Sequence, residues 1–80
     1  MAAMRAKMQI TRIEKHGDTE ALHFNAVSRS SSYPADGSDE DNTYAKFSPC
    51  GSLSLTVANP ALIGKFEVGE KYYLDFTKAD

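Results

Sequence analysis

The feature that most constrains the fold is a strict alternation of apolar and polar residues over positions 52–58. Leu53, Leu55 and Val57 alternate there with two serines and a threonine, which is the period of a strand with one buried face. Less regular alternation occurs in other parts of the chain, over residues 7–11, 20–27 and 71–77. Because no stretch has the 3.6-residue period of a long helix, the sequence predicts a mainly β domain.

The first alternating stretch contains an irregularity. Met8 and Ile10 fall on one face, whereas Ile13 breaks the parity. A β-bulge near Thr11 and Arg12 would return Ile13 to the inner face and add the curvature that a small barrel needs. We therefore predict a bulge at this point of the first strand.

A hairpin is predicted to follow. Gly17 lies in a His-Gly-Asp turn, where glycine adopts a positive φ without steric cost. In the next strand Leu22, Phe24 and Ala26 share one face. The second strand is thus expected to pair with the first and to bury these three side chains.

Residues 28–42 are rich in Ser, Asp, Gly and Pro and are interpreted as a long polar loop, because this composition cannot bury a continuous face. Its acidic side chains lack the spacing of an EF-hand and are expected to be solvated: Asp36, Asp39, Glu40 and Asp41. Tyr44 and Phe47 are expected to anchor the return of this loop to the core. Further on, Asn59-Pro60 predicts the start of a one-turn helix that Gly64 ends.

These elements together predict a fold class. We expect a small antiparallel five-stranded barrel, SH3-like or Sm-like, with a one-turn helix before the last strand and a single domain over residues 1–80. An OB-fold is the nearest rival. A chain of this length buries only roughly 60 to 65% of its unfolded surface, so association with further copies of itself would add stability.

Composition excludes several functions. A net charge of −2 is unlike that of a strongly basic, whole-surface nucleic-acid binder. Cys50 is the single cysteine, so an internal disulfide and a thiolate zinc site are excluded, and His16 with His23 is a weak metal pair. No nucleophile elbow or glycine-rich phosphate loop occurs. We expect no enzyme, no cofactor, no signal peptide and no membrane span.

A basic first strand leaves nucleic-acid binding open. Four cations with a single carboxylate among them, Glu14, are predicted to meet phosphates on its outer face while the acidic loop points elsewhere; they are Arg5, Lys7, Arg12 and Lys15. Tyr44 or Tyr73 would offer a stacking surface for a base, with Tyr33 a further candidate, each contact worth roughly 1–3 kcal/mol. The alternative is that these lysines and arginines serve solubility and the tyrosines serve packing.

Three segments in order resemble a family of short uncharacterised proteins of tailed bacteriophages. They are residues 38–49, with an acidic-Asn-aromatic-Lys run, residues 51–60, with a Gly-Ser-Leu strand start and an Asn-Pro, and residues 66–76, with a closing Tyr-Tyr-Leu-Asp-Phe. The resemblance implies a phage origin, the cytoplasm of the infected bacterial host, and a barrel similar to Sm-like RNA-binding proteins. It implies no catalytic residues.

The leading hypothesis is therefore a non-enzymatic phage accessory protein that self-associates and binds RNA or single-stranded DNA. One alternative is an oligomer that sequesters a nucleotide or another small molecule between subunits, held by residues 28–42. The other is a structural or assembly component of the phage whose surface binds only protein.

Overall fold

The computed structural model describes residues 3–80 and contains one four-stranded antiparallel sheet. The strands are β1 (Met4–His16), β2 (Thr19–Ala26), β3 (Ser52–Val57) and β4 (Lys71–Phe76). Their order across the sheet is β3-β2-β1-β4. The long central strand β1 therefore pairs with a neighbour on each side, and β3 and β4 form the two edges. The mainly β class is confirmed.

The predicted bulge and hairpin are both present. The register between β1 and β2 shifts between Ile10 and Arg12, so that Ile10 lies opposite Phe24 and Ile13 opposite Leu22. This shift brings Ile13 against the core, as expected of an inserted residue. The hairpin turn contains Gly17 with a φ of 62°, a conformation that glycine adopts without strain.

One face of the sheet is apolar and the other polar, which follows from the alternation along each strand. The apolar face holds a buried cluster of five side chains: Ala6, Met8, Ile10, Leu22 and Phe24. Around it pack half-buried side chains from the edge strands and from the segment between β3 and β4: Ile13, Leu53, Val57, Phe66, Tyr72 and Leu74. The core is thus a single layer of side chains, as a short chain would lead one to expect.

The predicted five-stranded closed barrel is not formed by the described residues. The sheet is open, because β3 and β4 lie at opposite edges and are separated by β2 and β1. The segment between β2 and β3 contains turns and bends and supplies no fifth strand. Its serine, aspartate and glycine content favours local side-chain-to-backbone hydrogen bonds over a ladder.

The predicted one-turn helix is a run of turns instead. Asn59 still acts as its N-cap, because its Oδ1 accepts from the Ala61 N–H at 3.0 Å, and Gly64 ends it with a φ of 81°. The Gly64 N–H then donates to a carboxylate oxygen of Glu20 at 3.1 Å. This bond ties the segment across the apolar face and satisfies a glutamate that is only 2% exposed. No helix in residues 3–80 is long and apolar enough to cross a membrane.

The molecule exposes more surface than its mass predicts. Its accessible area is 5594 Å², which exceeds by about 800 Å² the value typical of a folded monomer of this mass. The radius of gyration is 14.4 Å, against about 12 Å for a compact domain of this length. Both quantities describe an open sheet whose apolar face is only partly covered.

Candidate functional site

The polar face carries an ion pair that is stacked on an aromatic ring. The Arg5 guanidinium contacts the Asp75 carboxylate through two hydrogen bonds of 2.7 and 3.1 Å and lies 4.6 Å from the centre of the Tyr73 ring. The hydrogen bond to Asp75 raises the pKa of Arg5, and its counterpart from Arg5 lowers the pKa of the Asp75 carboxyl. Tyr73 remains 53% exposed. The polar face thus presents an exposed aromatic ring beside a guanidinium whose charge is balanced by Asp75.

Lys7, next on the same face, is held by the acidic loop. Its ammonium lies 3.4 Å from an Asp41 carboxylate oxygen, and both side chains are largely buried. The second Asp41 oxygen accepts from the Tyr73 hydroxyl at 3.2 Å. The prediction that the acidic loop points away from the basic strand is therefore wrong, because the loop folds back and supplies a counter-ion to that strand.

The loop is held in place by a buried polar cluster centred on Asn42. This side chain is 0% exposed; its Oδ1 accepts from the Lys7 N–H at 2.8 Å, and its Nδ2 donates to the Val27 carbonyl at 2.8 Å. Nδ2 also donates to Asp39 at 3.2 Å. Asn42 therefore continues the ladder between β1 and β2 past the end of β2, where a backbone partner is missing.

Asp39 and Asp41 were expected to be solvated, and this prediction is wrong, since they are 4% and 8% exposed. The Asp39 carboxylate accepts from the Asp41 and Asn42 N–H groups and from the Tyr33 hydroxyl. Burial opposes ionisation of Asp39, but the hydrogen bonds from Asn42, Asp41 and Tyr33 outweigh it and lower the pKa of this carboxyl. A charged carboxylate is tolerated inside the loop because its lone pairs are satisfied.

The remaining basic residues of the predicted site do not join Arg5 and Lys7. Arg12 lies 3.4 Å from Glu14. Glu14 also accepts a 2.8 Å hydrogen bond from His23 Nε2, and this bond lowers the pKa of the Glu14 carboxyl. Lys15 lies in register with Glu20, which places it on the apolar side of the sheet. The structure thus brings together two of the four predicted phosphate contacts.

Tyr44 and Tyr73, the two predicted stacking residues, lie on different parts of the molecule. Tyr44 is 37% exposed. A methyl group placed on Gly51 would lie 3.6 Å from both the Tyr44 hydroxyl and the end of the Met8 side chain, so Tyr44 sits at the rim of the apolar face, whereas Tyr73 lies on the polar face. Phe47 is half exposed and stacks on Tyr33 with ring centres 5.9 Å apart. Phe47 therefore packs within the loop, whereas it was expected to reach the core.

A second candidate surface is the open edge of β3. The Ala26 N–H donates to the Gly51 carbonyl at 2.9 Å, so residues 51, 53, 55 and 57 form the hydrogen-bonded pairs with β2. Ser52, Ser54 and Thr56 consequently direct their N–H and C=O groups away from the sheet. Within residues 3–80 no other segment pairs with this edge.

The apolar face is uncovered at its margins. Leu55 on β3 and Phe76 on β4 are 49% and 47% exposed, although both point to the same side of the sheet as the core residues. Leu62 and Val68, in the segment between β3 and β4, are also exposed. Leu55 and Phe76 lie at opposite edges of the sheet, so apolar surface is exposed at both margins of the core.

Sites for metals or small molecules are poorly developed in residues 3–80. No group of three or more His, Cys, Asp or Glu side chains is placed to hold a metal ion there, and Cys50 is an exposed free thiol. One groove of about 340 Å³ lies on the loop between Ser38 and Lys46, and another of about 480 Å³ lies near Gly17 and Ile63. Both are open; the first is lined by Asp39, Glu40 and Lys46, charges of both signs, and the second by Asp18 alone among charged residues.

Comparison with known proteins returned no matching family model, no matching curated sequence and no matching solved structure.

Sequence reasoning missed two buried polar residues that organise these surfaces. Asn42 was treated as part of a solvated loop, and Glu20 was not singled out, yet both are almost inaccessible. The available signal was weak: an Asp-x-x-Asn spacing, in which the aspartate accepts hydrogen bonds from the following backbone, is a common turn arrangement. Nothing in that spacing indicates which strand the asparagine will cap.

Proposed function

We propose that this chain is a non-enzymatic accessory protein of a tailed bacteriophage that acts as a homo-oligomer in the infected bacterial cell. The phage assignment is supported by the resemblance of residues 38–49, 51–60 and 66–76 to a family of short phage proteins. The oligomer is supported by the geometry of the sheet. A closed Sm-like barrel, which the resemblance implies, would need a further strand beyond the four that residues 3–80 form.

The observation that carries the proposal is the exposure of large apolar side chains on the core face of a molecule that has more surface than its mass predicts. Leu55 and Phe76 are each about half exposed on the face that holds the core. The accessible area exceeds that of a typical monomer by about 800 Å², which is about what one partner buries in a standard protein interface. Self-association would cover the surface that a thin core leaves open.

Light scattering over a micromolar concentration series tests this proposal. Wild-type protein is expected to give a mass that is a multiple of the 8.8 kDa chain. The Leu55→Ser variant removes an exposed apolar side chain and should shift the equilibrium toward monomer. Thr56→Ser, on the polar face of the same strand, is the matched control and should associate as wild type does. Circular dichroism verifies that both variants fold.

A second candidate function is binding of single-stranded RNA or DNA on the polar face, favoured by the Arg5 guanidinium 4.6 Å from the exposed Tyr73 ring. In this account Arg5 and Arg12 contact phosphates, Lys7 does so only in exchange for its Asp41 partner, and Tyr73 stacks on a base. Lys15 and Tyr44 lie on the apolar side and at its rim, so their contribution would come from another subunit of the oligomer.

Fluorescence anisotropy with mixed-sequence oligonucleotides at low salt tests the second candidate. Tyr73→Ala should weaken binding about 5- to 150-fold, since a base–aromatic stack is worth about 1–3 kcal/mol. Tyr73→Phe keeps the ring and loses only the hydroxyl contact to Asp41, so it should bind nearly as wild type. Absence of binding at tens of micromolar protein contradicts this function and leaves the oligomer unaffected.

A further inference from the structure

We propose that a second copy of this chain pairs with the open edge of β3, antiparallel and across a twofold axis at Ser54, so that two sheets become one. This inference rests on the proposed self-association and specifies its partner, its surface and its register. Three observations carry it: the unpaired edge, the absence of charge on that strand, and the symmetry of its hydrogen-bonding groups.

The edge of β3 lacks the features that keep sheet edges from pairing. Natural edge strands are protected by charged side chains, proline, bulges or a covering segment. β3 reads Ser-Leu-Ser-Leu-Thr-Val and contains neither charge nor proline, and its register with β2 is regular. The other edge strand, β4, carries Lys71 and Asp75. Since β4 is protected and β3 is not, β3 is the edge that can accept another strand.

The free backbone groups of β3 are self-complementary. Ser52, Ser54 and Thr56 direct N–H and C=O outward, as the pairing of the alternate residues with β2 requires. In an antiparallel pair with Ser54 opposite its own copy, Ser52 lies opposite Thr56. Every outward N–H and C=O of these three residues then meets a partner. No backbone movement within β3 is required, because the strand is already extended.

This register also continues the apolar face. Residues directly opposite each other in an antiparallel pair point to the same side, so Leu53 of one copy lies opposite Leu55 of the other. Leu55, which is 49% exposed in the single chain, thereby gains an apolar neighbour. Pairing Leu55 with Ser54 instead would place the apolar faces of the two sheets on opposite sides. The interface is isologous and closes as a dimer.

Disulfide trapping measures the register directly. In a Cys50→Ser background, which removes the exposed native thiol, the Ser54→Cys variant should form a covalent dimer under mild oxidation at low micromolar concentration. Opposite Cα atoms in a sheet are about 4.5–5.5 Å apart, within the range that a disulfide spans. Thr56→Cys is the matched control, because it lies on the same polar face and its two copies would be about 14 Å apart in this register, so it should associate but stay reduced.

Charge at the edge provides an independent test. Ser54→Lys sets two ammonium groups against each other across the axis and should give monomers in light scattering. Asn25→Lys adds the same charge to an exposed position on the polar side of β2 and should leave the dimer intact. Asn25 thus controls for net charge and for the face of the sheet.

The outcomes separate the register from self-association itself. A dimer in which Thr56→Cys crosslinks and Ser54→Cys does not has a different register and overturns this inference alone. A dimer in which neither variant crosslinks and Ser54→Lys still associates uses another surface, and that also overturns it. A wild-type protein that is monomeric at all concentrations overturns both the inference and the proposed function.

Discussion

The side-chain amide of Asn42 takes the place of a strand residue beside Lys7, accepting its N–H at 2.8 Å while donating to the Val27 carbonyl at 2.8 Å. β2 ends at Ala26, and β1 extends beyond it toward its N-terminal end. A backbone donor at that point would otherwise be buried without a partner. Thr43 continues the arrangement, since its N–H and hydroxyl both bond to the backbone of Arg5. A polar loop is thereby fixed to the sheet by side-chain hydrogen bonds.

Replacing Asn42 with alanine should destabilise the protein by about 1–3 kcal/mol, because the Lys7 N–H and the Val27 carbonyl lose their partners in a buried position. Urea denaturation measures the change. Asn25→Ala is the control: Asn25 is exposed on β2, and its removal should cost less than about 0.5 kcal/mol. Equal effects of the two substitutions would show that the loop is not held through Asn42.

Gly37 should tolerate alanine much less well than Gly17. Both have a positive φ, of 75° and 62°, so each substitution carries the backbone cost of a left-handed alanine, about 1–2 kcal/mol. A Cβ on Gly37 would in addition overlap the Phe47 ring, whereas one on Gly17 meets open space. Thermal unfolding should therefore give a lower melting temperature for Gly37→Ala than for Gly17→Ala. The opposite ranking would mean that the Phe47 ring is packed elsewhere.

Stability should decrease as the pH falls below about 4, near the ordinary pKa of an aspartate. The hydrogen bonds from Asn42, Asp41 and Tyr33 outweigh burial and lower the pKa of Asp39 in the folded state. A group with a lowered folded pKa stabilises the protein above its unfolded pKa, and that stabilisation is lost as the pH falls through the folded value. The pKa values of three other carboxyls are also lowered, and these groups likewise lose stabilising interactions on acidification: Glu14, Glu70 and Asp75.

Urea titrations between pH 2 and 6 test the assignment to Asp39. Asp39→Asn should be less stable than wild type at pH 7 and should show a shallower loss of stability on acidification. Asp18→Asn, in the exposed hairpin turn, serves as the comparison and should follow the wild-type curve. If the unfolding free energy of Asp39→Asn fell with pH as steeply as that of the wild type, the acid sensitivity would come from other carboxylates.

The strands were predictable from local pattern, and the way the loop meets the sheet was not. Alternation located the sheet, and the broken parity at Ile13 predicted the bulge between Ile10 and Arg12 that the register contains. Closure into a barrel was inferred from strand count. It failed because whether β3 and β4 meet depends on twist and on long-range contacts, which no local pattern encodes.

In the candidate site, too, the positions on the strands were predictable from local pattern and the contacts made by the loop were not. Arg5 and Tyr73 do lie together, since adjacent strands of an antiparallel sheet bring them to one face. Their carboxylate partners Asp75 and Asp41 were not predicted. Asp41 lies 34 residues after Lys7 in the sequence. The contact between them was not predictable, because only a few hydrogen bonds determine where a polar loop lies. Counting charges on one strand therefore overestimated how much positive charge the polar face presents.

The direction in which affinity changes when the Asp75 charge is removed tests whether the polar face binds nucleic acid. If this face binds nucleic acid, Asp75→Asn should raise the affinity for single-stranded oligonucleotides at low salt, because Arg5 loses its carboxylate partner and one negative charge leaves the surface. Asp18→Asn removes a charge at the far hairpin turn and is the control for net charge. An equal gain from both variants, or a gain from neither, would argue against a binding role for Arg5.

The central claim is that the chain associates with itself and thereby covers apolar side chains at the margin of its core, and its molar mass in solution tests this most directly. Light scattering of the wild-type protein across micromolar concentrations should give a mass of at least twice the 8.8 kDa of one chain, falling toward one chain on dilution. A mass of 8.8 kDa at every concentration would contradict the claim, because the exposed apolar face would then be stable in water without a partner.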